Sequence, residues 1–270
     1  MNNQITAQKF TQKEPDNIVT FDVSSVKSLQ IGYHSETIFL HLSEGDSLVL
    51  KEYINGLSGS EYYAKVNANR FKTTIRYGRR EEVNQNTYVE VFLPASWSGE
   101  LQLSSQYGHI ITEDNWTLER IAVEANEGAV CFQSITAPRI RITTSTGPIQ
   151  AAHVEGFIDA HTVSGSIALD KVDGGAKLET SSSPILASFG SLNNIIECIT
   201  LNGSMELSLP ENAGMKVDGI SKRGDISAKI EGLEVRTKPG NVKNVIGTLG
   251  EKPFQNVRLS TINGNISLHY

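Results

Sequence analysis

One short unit recurs along the C-terminal two-thirds of the chain, and it restricts the fold more than any other feature. Its clearest copies are HTVSGSIAL around Gly165, ITLNGSMEL around Gly203 and STINGNISL around Gly264; each reads Thr, two residues, Gly, one residue, apolar, one residue, apolar. With the Gly taken as an anchor, the unit repeats at Gly108, Gly128, Gly147, Gly165, Ser183, Gly203, Gly224, Gly240 and Gly264, at spacings of 16 to 24 residues. Other positions keep the same frame. Seven before the anchor stand Ile121, Ile140, Ile158 and Ile196; five before stand Val123, Ile142, Leu178 and Cys198; two after stand Ile149, Ile167, Ile185, Met205 and Ile266. Three before the anchor the residue is small, most often Thr: Thr144, Thr162, Thr180, Thr200, Thr261.

Apolar residues at period two on both sides of the Gly mean at least two short strands, each turning alternate side chains inward, joined by a bend that Gly tolerates easily. A unit of about 20 residues is too short for a helical crossover, so successive units should stack in parallel at roughly 4.8 Å, like residue over like. The expected fold is all-β, a parallel β-solenoid (β-helix) of about nine coils. Right-handedness follows from the general hand of crossovers between parallel strands. The column of Thr is expected to pass hydroxyl hydrogen bonds up the stack.

The first hundred residues lack the Gly frame and read as separate strands: IVTFDV, LQIGYH, TIFLHL, SLVLKEY, NRFKTTIRY and TYVEVFLP, divided by turns such as NGLSGS. A solenoid needs its first strand edges covered. Residues 1–95 are therefore expected to form an N-terminal β-rich cap on a repeat region of residues 96–270, the two making one continuous unit.

Composition narrows the function. A net charge of -6 gives no general attraction to polyphosphates, so nucleic acid is not the expected partner. Cys131 and Cys198 are the two cysteines, without a CxxC pair or a His cluster at ligand spacing, so neither a disulfide framework nor a metal is implied, and no cofactor motif occurs. The first thirty residues carry no signal-peptide core and no stretch approaches a membrane span, which reads as a cytoplasmic protein, with cell-envelope association as the alternative.

The segment TYVEVFLPASWSGELQLSSQYGHI, a strand ending in Leu-Pro, a short loop and the first anchor Gly, is followed by serial SG-x-I units. In this it resembles the bacterial putative-adhesin domain family, a β-strand-repeat family of unknown function. The resemblance implies a β-solenoid, a non-enzymatic scaffold or interaction role, and a link to the envelope or to stress; it brings no catalytic residues. This chain departs from the family's secreted members in lacking a signal peptide.

Two surfaces are candidate sites. Six before the anchor, four successive coils give Arg141, Asp159, Lys177 and Glu197, and four before it give Thr143, His161, Glu179 and Ile199. Arg141, Asp159, His161, Lys177 and Glu179 should thus share one face, where a polysaccharide lyase or hydrolase on a β-helix would place a neutralising cation and a base. Alternating sign favours the plainer reading, a ladder of ion pairs holding the coils in register. In the first region Arg70, Lys72 and Arg76 alternate with apolar residues and run on to Arg79 and Arg80. That basic strip could hold an anionic polymer or membrane surface, or simply protect an edge strand against aggregation. Trp97 and Trp116 are expected to seal the first coil, Cys198 to face the core and Cys131 to face out. Because the chain closes on a strand, INGNISLHY, the edge of the last coil is expected to recruit a protein partner or a second copy.

Overall fold

The computed structural model describes residues 14–69, 71–80, 86–211 and 213–270, and among these every regular element is a β-strand. One coil shows why. Along Ile149–Thr162 the buried residues are Ile149, Ala151, Val154, Ile158, Ala160 and Thr162. Steps of two are straight strand; the longer steps, Ala151 to Val154 and Val154 to Ile158, are corners, and Gly156 takes the second with a φ of 124°. Ile167–Thr180 repeats the pattern, with Gly174 at the same corner. Neighbouring coils lie parallel and in the frame read from the sequence: Ile140 pairs with Ile158, Ile158 with Ala176, and Ala176 with Ile196. Each of these side chains is fully buried, which stabilises the stack by about 1.5–3 kcal/mol per large aliphatic.

The anchors need Gly for a reason other than backbone angle, since none of those in the stack has a positive φ. They follow one another through space in close contact. A Cβ on Gly128 would run into the carbonyl of Gly108, one on Gly147 into that of Gly128, one on Gly165 into that of Gly147, and one on Gly203 into that of Ser183. The column of Thr does two things. Its hydroxyls hold their own bends, the Gly165 N–H donating to Thr162 Oγ1 (3.0 Å) and the Gly203 N–H to Thr200 Oγ1 (2.9 Å), and they pass hydrogen bonds between coils through backbone carbonyls. Thr180 Oγ1 in turn donates to the carbonyl of Gly165 in the neighbouring coil (3.2 Å).

Chain order and spatial order part company at both ends. The strand Gln255–Thr261 lies between Ile185–Thr200 and Met215–Ser221, and Ile266–His269 lies between Met205–Ser208 and Ile226–Ala228, all parallel. A Cβ on Gly264 would accordingly meet Gly203, and one on Gly224 would meet Gly264. The chain's last coil is thus enclosed on both sides, and the free terminal edge expected from INGNISLHY does not exist. What sends the chain out and back is an antiparallel hairpin of Leu233–Lys238 and Val242–Leu249, which pairs with Met215–Ser221. Gly240 belongs to its turn, with φ 79° beside Asn241 at 63°, and has no place among the stacked anchors.

The N-terminal region mirrors this arrangement. Ser28–Tyr33 and Thr37–Ser43 form a coil between Glu100–Ser105 with Ile110–Thr117 on one side and Lys72–Arg76 with Tyr88–Pro94 on the other. Leu29 stands in register with Leu101, Ile31 with Leu103 and Ile38 with Ile110, and Gly108 sits on the backbone of Glu36. A Glu at the anchor position is what hides this coil in the sequence. Antiparallel strands Asn17–Asp22, Ser47–Tyr53 and Lys65–Ala68 finish that end. One apolar core runs from Val23 to Leu268, across residue 95. No helix among the described residues is long and apolar enough to cross a membrane.

Candidate interaction surfaces

The basic strip is divided by the fold. Lys72 and Arg76 are exposed on the outer side of their strand, while Thr73 and Ile75 point into the core. The strand is not an edge, because Lys65–Ala68 covers it. Arg79 is also exposed, and Arg70 lies outside the described residues. Arg80 turns inward and is lost to any external ligand: its guanidinium pairs with Glu36, lies 3.5 Å from Glu52, and donates to the Tyr62 carbonyl at 2.6 Å. Glu36 and Glu52 are fully buried. The backbone N–H groups of His34 and Ser35 donate to Glu36, and Asn17, Tyr33 and the N–H of Ala64 donate to Glu52. Burial first, then the charges of Glu52 and Glu36, push the Tyr33 phenol well above its ordinary range, so it stays a donor. Two carboxylates around one guanidinium, with hydrogen bonds to most oxygens, form a polar plug at the N-terminal end of the core.

Arg76 borders an open hollow of about 760 Å³ on the outer face. Its floor is low because Gly32 has no side chain and Ser104 has a short one; Arg76 and Tyr77 border it at one end, Thr143 and Ser145 at the other, and Glu124 and Asn126 line it between. The Tyr77 N–H donates to the Gly32 carbonyl (3.1 Å), and its ring lies near His34 (5.7 Å between centroids), which fixes the rim.

The proposed lyase face is assembled as the frame requires, since Arg141 pairs with Asp159, Asp159 with Lys177, and His161 with Glu179. His161 Nδ1 and Glu179 Oε2 are 3.7 Å apart and both side chains are about two-fifths exposed (42% and 41%). None of the five lines the hollow. The charged row is longer than the frame suggested: Glu197 pairs with Arg258 and Arg258 with Asp218. Those two members were not legible because the last coil is inserted out of order.

A second polar cluster escaped the frame altogether, although its members are one coil apart. His153 Nε2 lies 3.1 Å from Asp173 Oδ2, its Nδ1 lies 3.5 Å from Ser134 Oγ, and Lys171 and Ser191 also bind Asp173. Slight burial would raise the Asp173 carboxyl, but the bonds from Lys171, His153 and Ser191 hold it below its ordinary value. The order Ser, His, Asp is that of an acyl-transfer triad. The Ser134–His153 contact, at 3.5 Å, is long for a nucleophile and its base.

Trp97 and Trp116 are buried, with their indole N–H groups donating to the Val26 carbonyl (2.8 Å) and to Thr112 Oγ1 (2.7 Å), so neither offers a ring to a sugar. Cys198 is in the core; Cys131 is half-buried on the outer side, and burial pushes its thiol up to about 12. No group of three metal-ligating side chains is present among the described residues.

The sequence model of one family, described as Toastrack DUF4097, matches residues 26–269. Among solved structures, a protein described as a putative adhesin from Parabacteroides distasonis is 14% identical, with a TM-score of 0.52 over 93% of this chain and 96% of its own. A putative cell adhesion protein from Clostridium sporogenes is 10% identical, with a TM-score of 0.30 over 94% of this chain and 97% of its own. No curated protein matches the chain.

Proposed function

The chain belongs to the Toastrack DUF4097 family, and on that premise we propose that it is a non-enzymatic interaction protein that holds a protein partner at the hollow beside Arg76. The observation that carries the proposal is the composition of that hollow. A guanidinium and an aromatic ring stand at one end, a carboxylate and amides line the hollow beyond a floor opened by Gly32, and the sheet beneath is rigid, its strands paired on both sides. Arg and Tyr are the side chains most often found at energetic centres of protein interfaces, and a rigid sheet lowers the ordering cost of binding. Lys72, two pleat repeats away from Arg76 on the same outer side, adds a second cation and suits a partner segment carrying acidic side chains.

The description of the Parabacteroides distasonis structure as a putative adhesin supports a binding role, and with it a place at the cell envelope rather than in the cytoplasm. The lyase reading is weaker, because its cations alternate with carboxylates and its five residues stand apart from the hollow.

The test is capture from cell lysate by the wild-type chain and by the variant Lys72→Glu/Arg76→Glu, followed by hydrogen exchange on the purified complex. The variant is expected to weaken capture of the specific partner by about tenfold or more, and the wild type to show protection at 28–33, 72–77 and 100–106 on binding. Equal capture by both chains, or protection elsewhere only, overturns the proposal.

A further inference from the structure

The row of charges on the outer face has a property that a register ladder does not need. In spatial order it reads Arg141, Asp159, Lys177, Glu197, Arg258, Asp218, one per strand across six parallel strands. It is bounded by neutral residues, Ala122 beyond Arg141 and Ile246 beyond Asp218. The signs alternate and their number is even, so the row is complementary to its own reverse. A second copy turned end for end would set Arg141 against Asp218, Asp159 against Arg258 and Lys177 against Glu197, each twice.

Within one molecule the row leaves these charges unspent. Among the described residues none of its five neighbouring pairs closes to 4 Å, whereas His161 and Glu179 in the adjacent row reach 3.7 Å. Arg141, Arg258 and Asp218 are exposed, and Asp159, Lys177 and Glu197 are half-buried. The strands run parallel and in register, which keeps the six charges in a straight line about 24 Å long at 4.8 Å per strand.

We propose that this face docks a second copy of the same chain in a two-fold, end-for-end arrangement, with the axis between Lys177 and Glu197. A two-fold contact requires a self-complementary patch, and an alternating row of even length meets that requirement in the reversed orientation but not in the parallel one, where each charge would face itself. Six strands by about six residues is on the order of 500 Å² per partner, at the low end for a specific interface. In the row next to the ladder Arg139 and Lys216 would approach each other at the rim, and two copies of net charge -6 repel at long range. The dimer is therefore weak and salt-sensitive.

The test uses full-length chains in analytical ultracentrifugation over a range of concentrations at low ionic strength and in 0.5 M salt, about where the Debye length falls to a few ångströms. The wild type is expected to dimerise at low ionic strength and dissociate in salt. Lys177→Glu alone sets Glu against Glu197, and Glu197→Lys alone sets Lys against Lys177, so each variant is expected to lose at least about tenfold in dimer affinity. Mixed in equal amounts, the two variants complement each other at every position of the row, and the dimer is expected to return as a heterodimer. Arg141→Glu with Asp218→Lys repeats the design at the exposed ends of the row, where folding is least at risk, and circular dichroism checks each variant. A wild type that stays monomeric at low ionic strength, single variants that dimerise like wild type, or a mixture that fails to restore the dimer would each overturn the proposal.

Discussion

Gly165→Ala tests the account of the anchors most directly. Gly165 has an ordinary backbone angle, so the substitution introduces no conformational strain of the left-handed kind. What it introduces is a methyl directed at the carbonyl of Gly147, with the Gly147 carbonyl carbon at 2.6 Å and Thr162 Oγ1 at 2.8 Å. Backbone on one side and a hydrogen-bonded hydroxyl on the other leave nothing flexible to move, because Thr162 Oγ1 is held by the Gly165 N–H itself at 3.0 Å. Relief requires the coils to part locally. Overpacking of this kind costs about 1–3 kcal/mol, and losing the Thr162 bond and weakening the bend's backbone bonds adds about 1–2 kcal/mol. The expected destabilisation is about 2–5 kcal/mol, on the order of a 10 °C fall in Tm for a chain of this size. Gly45→Ala is the control, since it sits in a bend with nothing within 4 Å of the added carbon and an ordinary φ; it should be neutral within about 0.5 kcal/mol. Thermal and urea unfolding followed by circular dichroism would compare the two. If Gly165→Ala loses less than about 1 kcal/mol relative to Gly45→Ala, close approach is not what the anchors are for.

The buried plug and the thiols give two more outcomes. Arg80→Met should destabilise the chain by about 3–5 kcal/mol in urea unfolding, because Glu36 and Glu52 then share the core end without a cation, and adding Glu36→Gln should recover part of that loss; an Arg80→Met chain as stable as wild type would mean the plug is not held by charge. Burial pushes the Cys131 thiol up to about 12 and encloses Cys198, so both should react slowly with a thiol reagent at pH 8 and at least about tenfold faster in denaturant, whereas fast native labelling would show that the outer face opens around Cys131.

The frame of the repeat was legible because each of its positions answers to one constraint: inward residues to the core, the anchor to the carbonyl of the coil beside it, the Thr to the N–H of its own bend. The frame misleads twice, for opposite reasons. At Glu36 the anchor is not Gly, and the constraint is met by a carboxylate turned to Arg80 and to backbone N–H groups, so a search keyed on Gly passes over Leu29, Ile31 and Ile38, which keep the frame. At Gly240 a Gly stands at a plausible distance along the chain but belongs to an antiparallel turn. Neither case can be separated by spacing alone. Spatial order was beyond reach as well: Gly224 and Gly264 present the same frame to Gly203, and which of them stacks on it depends on the hairpin between them.

That inversion of order has a consequence for how such a chain can associate. A parallel stack that simply stopped would leave two long, flat strand edges, each able to add another chain. Here each end is finished differently. The terminal coil is tucked one layer in, the next is placed outside it, and antiparallel or very short strands close the stack: Leu233–Lys238, with five of its six residues exposed and charges at Glu234, Arg236 and Lys238; the three-residue Ile226–Ala228; and Lys65–Ala68, fully exposed. Short and charged edges are poor templates for strand addition. Association through the edge of the last coil, which the sequence suggested, is thereby disfavoured. The long outer faces remain, and on them the fold has set the hollow beside Arg76 and the alternating row from Arg141 to Asp218. A row that depends on Arg258 following Glu197 exists only because the last coil is inserted out of sequence, so the device that blunts the C-terminal edge is also the one that completes the charged face.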